Sequence, residues 1–451
     1  MFGKRILSYW DDIVADLSAL VAIPSVRSEA RPGEPYGAGP AEALRWFERR
    51  AASLGLKVQD IDHRAGHAEY GEGKEYGGVL VHLDVVPAGE GWETNPFKLA
   101  RRDGVFYGRG VEDNKSYAVI ALHCLRALRD AGVAGSRRMR VIFGADEECG
   151  MSDMEAYFKA QPLPEMAFTP DVAYTVCNRE KGILQFELAA PHHPGDLWVD
   201  GGGAVNAVPD QAKAVWPGAA AEEAVLRRRA EKNACRITVE RREEGICVVS
   251  DGTASHAMEP EKGVNAVTHL LLLLHEAEMD NVCRFVENWI GTELDGNTLQ
   301  IRCADAPSGP LTLNLGYLHC DGAVTRAGVD IRYPVTADGI AIWEKIQKAA
   351  NQSGVESRIL HHQPPLYLPE DHPLIRLLVS VYEDVTGEKA VVFSTGGGTY
   401  ARALQGRGVG FGGSLPGRPG HGHTCREQVL EEDLRLHAQI CLEAMYRMMT
   451  Q

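Results

Sequence analysis

Strand-like apolar runs alternating with amphipathic helical stretches predict an α/β fold, with a mostly parallel central sheet flanked by helices and a second, α+β domain inserted into it. Three observations carry this expectation. Helix and strand alternate over roughly the first 180 residues; after about Ile183 the pattern changes to strands punctuated by glycine and proline; and helix, strand and glycine-rich loop return after about residue 364. The expected division is residues 1–184 and 365–451 for the outer domain and 185–364 for the insertion.

The elements follow in order. Ile6, Trp10, Ile13, Leu17, Leu20 and Val21 recur at three- and four-residue intervals, which makes one apolar helical face, and Ile23-Pro24-Ser25 ends it. A helix over about Ala41–Leu54 precedes strand-like Leu56-Lys-Val58, and the run Gly78-Val-Leu-Val81 leads into His82. A helix over about Ser116–Ala131 precedes the strand Met139–Phe143, which leads into Glu147. In the insertion, Gln185–Leu188, Ile237–Val239, Ile246–Val249 and Ala327–Arg332 read as strands and Ala266–Glu276 as a helix. A last helix covers about His372–Thr386, ahead of Ser394-Thr-Gly-Gly-Gly398. Ligand sites in such sheets lie beyond the carboxyl ends of strands. His82, Asp84, Glu147 and Glu148 would therefore emerge at one edge.

Bulk properties exclude several function classes. The chain has 451 residues, 44% of them apolar, and 62 acidic against 47 basic residues, a net charge of −15 without a basic cluster; nucleic acid is not an expected partner. No apolar run approaches the roughly 20 residues of a membrane span, and Met1-Phe-Gly-Lys-Arg leads into Trp10-Asp-Asp instead of a signal-peptide core. Ten cysteines without a CxxC pair suit reduced thiols. A cytoplasmic protein with no membrane partner is expected.

Chemistry concentrates in five short segments: His82-Leu-Asp84, Asp113-Asn-Lys115, Glu147-Glu148, Asp171 and His421-Gly-His423. Histidines with several carboxylates suit a pair of hydrolytic divalent ions. Residues two apart on a strand share a face, so Asp84 can orient the His82 imidazole; an ordinary hydrogen-bonded pair is the other reading. Asp113 follows the glycines of Tyr107-Gly-Arg-Gly110 and is the candidate for a carboxylate bridging two ions, or else it caps the helix behind it. Consecutive extended residues face opposite ways, which gives Glu148 to a metal and Glu147 to the attacking water as general base; a solvated acidic turn is the alternative.

His-x-Asp, then Gly-Arg-Gly-x-x-Asp-Asn-Lys, then Glu-Glu-x-Gly resembles the co-catalytic metallopeptidases that include aminoacylase, carnosinase and PepV-type dipeptidases. Phe168-Thr-Pro-Asp171, Glu180-Lys-Gly182, Asn206-Ala-Val-Pro-Asp210, Ile331-Arg-Tyr-Pro334 and Gly396-Gly-Gly-Thr-Tyr400 look specifically like the PepV-type branch. The resemblance implies a zinc exopeptidase-like catalytic domain with an inserted lid. It also implies that His82 and Asp171 hold one ion, Glu148 and a C-terminal histidine the other, and Asp113 both, with Glu147 as base and Asp84 behind His82. Glu427 follows His423 at the branch's spacing, which selects His423 over His421. On the lid, Asn206, His256 and Arg332 match substrate-handling positions, His256 for the oxyanion and Arg332 for a terminal carboxylate, with an ordinary loop histidine and a structural ion pair as the other readings; Gly397, in the glycine tract beyond the insertion, is a further substrate-binding candidate.

These features predict a dinuclear metallopeptidase that hydrolyses short unblocked peptides, dipeptides foremost, and the resemblance implies a monomer. Zinc is the expected ion, with manganese or cobalt accepted by the same donors. Hydrolysis of N-acyl amino acids by a deacylase or desuccinylase is the second reading, and a non-catalytic binding homologue the third.

Overall fold

The computed structural model describes residues 1–217 and 222–451. The chain forms two compact units, one of residues 1–178, 366–393 and 398–451, the other of residues 179–365 and 394–397. The change of patterning near Ile183 falls shortly after the first crossing, because strand-forming sequence runs through it: Val176–Glu180 and Gly182–Pro191 follow each other with one residue between.

In the first unit the sheet order is Lys57–Ile61, Ala65–Tyr70, Arg138–Gly144, Tyr76–His82, Met166–Thr169, Gly408–Phe411, Val176–Glu180 and Leu366–Tyr367. The four strands from Arg138–Gly144 to Gly408–Phe411 are parallel. Flanking pairs are antiparallel, so the sheet is mixed, with its parallel part at the centre. The reason is local: Lys57–Ile61 and Ala65–Tyr70 are joined by only three residues, too few for a crossover, and Asp62 and His63 turn the chain at φ 52° and 54°. Central strands are buried on both faces under helices that include Ala38–Ser53, Lys115–Asp130 and Glu431–Thr450. The first helical segment opens with a 3₁₀ stretch, Gly3–Tyr9, before α-helix Trp10–Val21; three- and four-residue spacing fits both.

Register decides where the chemistry lands. His82 pairs with Gly144 at the ends of adjacent parallel strands, so the segments after them leave the sheet side by side, as does the one after Thr169. Lys115, fully buried at the start of its helix, donates to the carbonyls of Leu20 (3.0 Å) and Ile23 (2.7 Å) and ties that helix to the first one.

The second unit is built on an eight-stranded sheet in the order Arg236–Arg242, Gly245–Asp251, Gln211–Trp216, Trp198–Gly202, Thr312–Cys320, Val324–Tyr333, Gly182–Pro191 and Glu356–Gln363, antiparallel throughout. Helices Ala266–Leu273 and Gly339–Gln352 share its apolar core. Gly182 pairs with Tyr333, and a Cβ there would stand 1.9 Å from the tyrosine ring, so only hydrogen fits. Among the described residues no helix is long and apolar enough to cross a membrane.

Candidate metal centre and substrate-binding groups

The first unit gathers all five expected ligands. His82 Nε2 lies 2.8 Å from Asp113 Oδ1 and 3.9 Å from Asp171 Oδ1. His423 Nε2 lies 3.0 Å from Asp113 Oδ2 and 3.0 Å from Glu148 Oε2. Asp113 thus turns one oxygen toward each of two groups, His82–Asp171 and His423–Glu148, and the donor atoms within each group fall within 4.8 Å of one another. Asp113 does not cap the helix behind it; Asn114 precedes Lys115–Asp130 without a side-chain cap, and its amide donates to Pro170 O (2.9 Å) and Asp171 Oδ1 (3.2 Å). His421 stays outside both groups: its backbone N–H bonds Glu112 Oε2 at 2.7 Å and its ring meets the Gln428 amide at 3.1 Å.

Asp84 stands beside His82 and carries a second load that the sequence does not announce. His82 Nδ1 is nearer the Asp84 backbone carbonyl (3.1 Å) than its carboxylate (3.5 Å). The carboxylate also accepts the N–H groups of Glu147 (3.3 Å) and Glu148 (3.2 Å). It therefore fixes the short turn Glu147–Cys149 that presents the tandem glutamates. Asp153 braces the preceding residues, accepting from Ala145 N (2.7 Å), Asp146 N (2.8 Å) and the Tyr400 hydroxyl, while the Tyr400 ring stands edge-on to His82.

Electrostatics fit a cation site. Burial opposes charge on His82, yet the neighbouring carboxylates of Asp113, Asp171 and Asp84 hold its pKa well above the usual imidazole range; those of Asp113 and Glu148, accepting from the ring, push His423 up to about 10. Burial, and then the charge of Asp171, raises Glu147 well above the ordinary carboxylate range. Burial and Asp113 raise Glu148. Glu148 Oε1 is buried with no hydrogen-bond partner among the described residues, a costly arrangement unless a cation takes it. His423 itself sits at φ 62°, a left-handed backbone costing a side chain about 1–2 kcal/mol. Two imidazoles, converging carboxylates and an orphaned oxygen suit divalent ions of the zinc, manganese or cobalt type.

The expected substrate groups all belong to the second unit. Asn206 and His256 lie on adjoining segments, with Ala207 bridged to His256 and Asn206 O accepting from Ala257 N at 2.9 Å. Both are exposed. Met258, two residues on, packs where a Cβ on Gly396 would be 2.8 Å away, and Gly397 N bonds Thr395 Oγ1 at 3.0 Å. Arg332 is buried and its fork is already engaged: Nε and Nη2 donate to Asp330 at 2.6 and 2.8 Å and Nη1 to Gly396 O at 2.8 Å. Sequence reading missed Asp330, although its i, i+2 spacing on one strand places it on the face of Arg332. Another His–carboxylate group in this unit, His192, Asp196 and Asp280, has a structural explanation: Asp280 caps Cys283 N at 3.0 Å and accepts from Thr325 at 2.5 Å.

Residues 78–447 match the model of peptidase family M20/M25/M40. The protein named "Putative dipeptidase YtjP" of Bacillus subtilis (strain 168) is 35% identical over 97% of both chains, and "Putative dipeptidase SAR1836" of Staphylococcus aureus (strain MRSA252) is 31% identical over 99% of both. In fold, the chain is similar to human carnosine dipeptidase 1 (TM-score 0.63, 14% identity, 99% of this chain and 98% of that one). It is equally similar to an M20 family metallo-carboxypeptidase, Sso-CP2 of Sulfolobus solfataricus (TM-score 0.63, 15% identity, 96% and 98%).

Proposed function

This chain belongs to peptidase family M20/M25/M40, and we propose that it hydrolyses the peptide bond of short unblocked peptides, dipeptides foremost, at a pair of divalent ions. The observation that carries this reading is Asp113, whose two oxygens face two separate imidazole–carboxylate groups. His82 and Asp171 would hold one ion, Glu148 and His423 the other, and Asp113 both; zinc leads, with manganese or cobalt as alternatives. When bound, the ions polarise the scissile carbonyl and make water a stronger acid.

The chain's own groups supply the rest. Glu147 sits where burial raises its proton affinity; it takes a proton from the attacking water and passes it to the leaving amine. Asp84 holds the backbone of Glu147 and Glu148 in place. His256 donates to the developing oxyanion. Arg332 keeps two of its five N–H donors beyond those used by Asp330 and Gly396, and these take the substrate's terminal carboxylate; Asn206 and Gly397 contribute to the same binding. The lid role of the insertion, a monomeric state and a cytoplasmic, reducing setting complete the reading, the last supported by ten cysteines that form no disulfide among the described residues.

The test is hydrolysis of one free dipeptide and its N-acetylated form by protein stripped of metal and reloaded with zinc or manganese. Metal-restored cleavage of the free form alone is expected. Preference for the blocked form would move the assignment to an N-acyl amino acid deacylase.

A further inference from the structure

Glu427 is fully buried and belongs to neither ligand group, yet both its oxygens are occupied by one loop. Oε1 accepts the backbone N–H groups of Gly110 (2.9 Å), Glu112 (3.0 Å) and Asp113 (3.2 Å). Oε2 accepts Nη1 of Arg109 at 2.5 Å, and the Glu427 carbonyl accepts from Gly108 N at 3.3 Å. Arg109 is buried as well. Its Nη2 reaches the carbonyls of Pro87 (3.2 Å) and Ala88 (3.3 Å), and its guanidinium lies 5.3 Å from the Trp92 ring centre.

Three segments meet at this pair: the stretch that leaves His82 and Asp84, the loop that ends in Asp113, and the turn that carries His423. Gly110 needs the help, since its left-handed backbone (φ 90°) has no side chain to hold it. Glu112 adds a second tie in the opposite direction, accepting from His421 N and from the Ser414 hydroxyl at 3.0 Å. The Asp113 loop and the His423 turn therefore grip each other through two reciprocal carboxylates.

We propose that Glu427 is a positioning residue that sets the affinity of the metal centre, by holding the backbone at Asp113 in register with the turn that carries His423. It rests on the reading of Asp113 and His423 as ligands. Preorganised ligands lose little freedom when an ion arrives, and partners behind the ligands characteristically change metal affinity by roughly 10–100-fold. A buried ion pair kept only for folding would act differently: its loss would lower stability and leave affinity per folded molecule unchanged.

The experiment titrates metal-free full-length protein and its Glu427→Gln variant with zinc against a chromophoric chelator, with melting temperature and amide hydrogen exchange measured on the same samples. Glu427→Gln keeps the shape and weakens the charge-assisted bonds. Zinc affinity is expected to fall about 10–100-fold, exchange at Gly110, Glu112 and Asp113 to quicken, and excess zinc to return turnover to within a few-fold of the parent. Lower stability with unchanged zinc affinity would overturn the proposal. Should the variant fail to fold, the parent protein decides: these three amides should be protected before zinc is added, and free exchange there would equally sink it. A parent that binds no zinc would defeat the metal reading itself; one that binds zinc without cleaving dipeptides would defeat only the assigned activity.

Discussion

The Nε2 atom of His423 lies 3.0 Å from Oδ2 of Asp113, which brings the C-terminal part of the chain onto the carboxylate that also faces His82. His421, two residues earlier, is turned to Gln428 instead. His423→Ala should therefore lose one of two bound ions, whereas His421→Ala should keep both. Metal content of the purified variants by atomic spectroscopy decides it, and the reverse pattern would reassign the ligand.

Glu147 is expected to act on the proton and not on the ion. Glu147→Gln should retain full metal content while kcat falls by about 10²–10⁴. Turnover near the parent level with metal in place would remove Glu147 from the role of base.

Asp330 holds two of the N–H groups of Arg332 and so orients those that remain. Arg332→Ala should abolish the preference for a free-carboxylate dipeptide over its C-terminal amide, and Asp330→Asn should raise KM more than it lowers kcat. An unchanged ratio of kcat/KM for the two substrates in Arg332→Ala would make this an internal ion pair and nothing more.

Away from the site, Glu48 offers a pH test. Burial, reinforced by the charge of Asp60, pushes its carboxyl up to about 7 from an ordinary 4.5. A pKa raised in the folded state means stability that is fully present below about 4.5 and is lost as pH rises through about 7. Glu48→Gln should thus match the parent near pH 4.5 and melt higher than it at pH 8. A melting-temperature difference that stays flat from pH 4.5 to 8 would contradict this.

Much of this was legible in the chain because the signals are local. The 3.6-residue spacing of Leu17, Leu20 and Val21 marks a helix, and His82 and Asp84 directly follow an apolar strand. What escaped depends on partners far away in sequence. Nothing near Asp84 says that its carboxylate will hold the N–H groups of Glu147 and Glu148, since that follows from strands Tyr76–His82 and Arg138–Gly144 lying parallel in register. Asn114, beside the cap candidate Asp113, carries no signal of its own; its bond to Asp171 exists only once Met166–Thr169 is in the sheet. The antiparallel edge was readable in principle from the short turn at Asp62-His63, but apolar periodicity does not report strand direction. Asp330 was the avoidable omission, two residues from Arg332 on the same strand.

The strand Gly408–Phe411 lies inside the first sheet, parallel to Met166–Thr169 on one side and antiparallel to Val176–Glu180 on the other. Chains interrupted before Gly408 would have a slot in the middle of the sheet, bordered by two rows of unsatisfied backbone donors and acceptors. Such rows recruit strands from other molecules. Premature termination should therefore yield material that sticks to itself and is cleared, with no partly working hydrolase left at large.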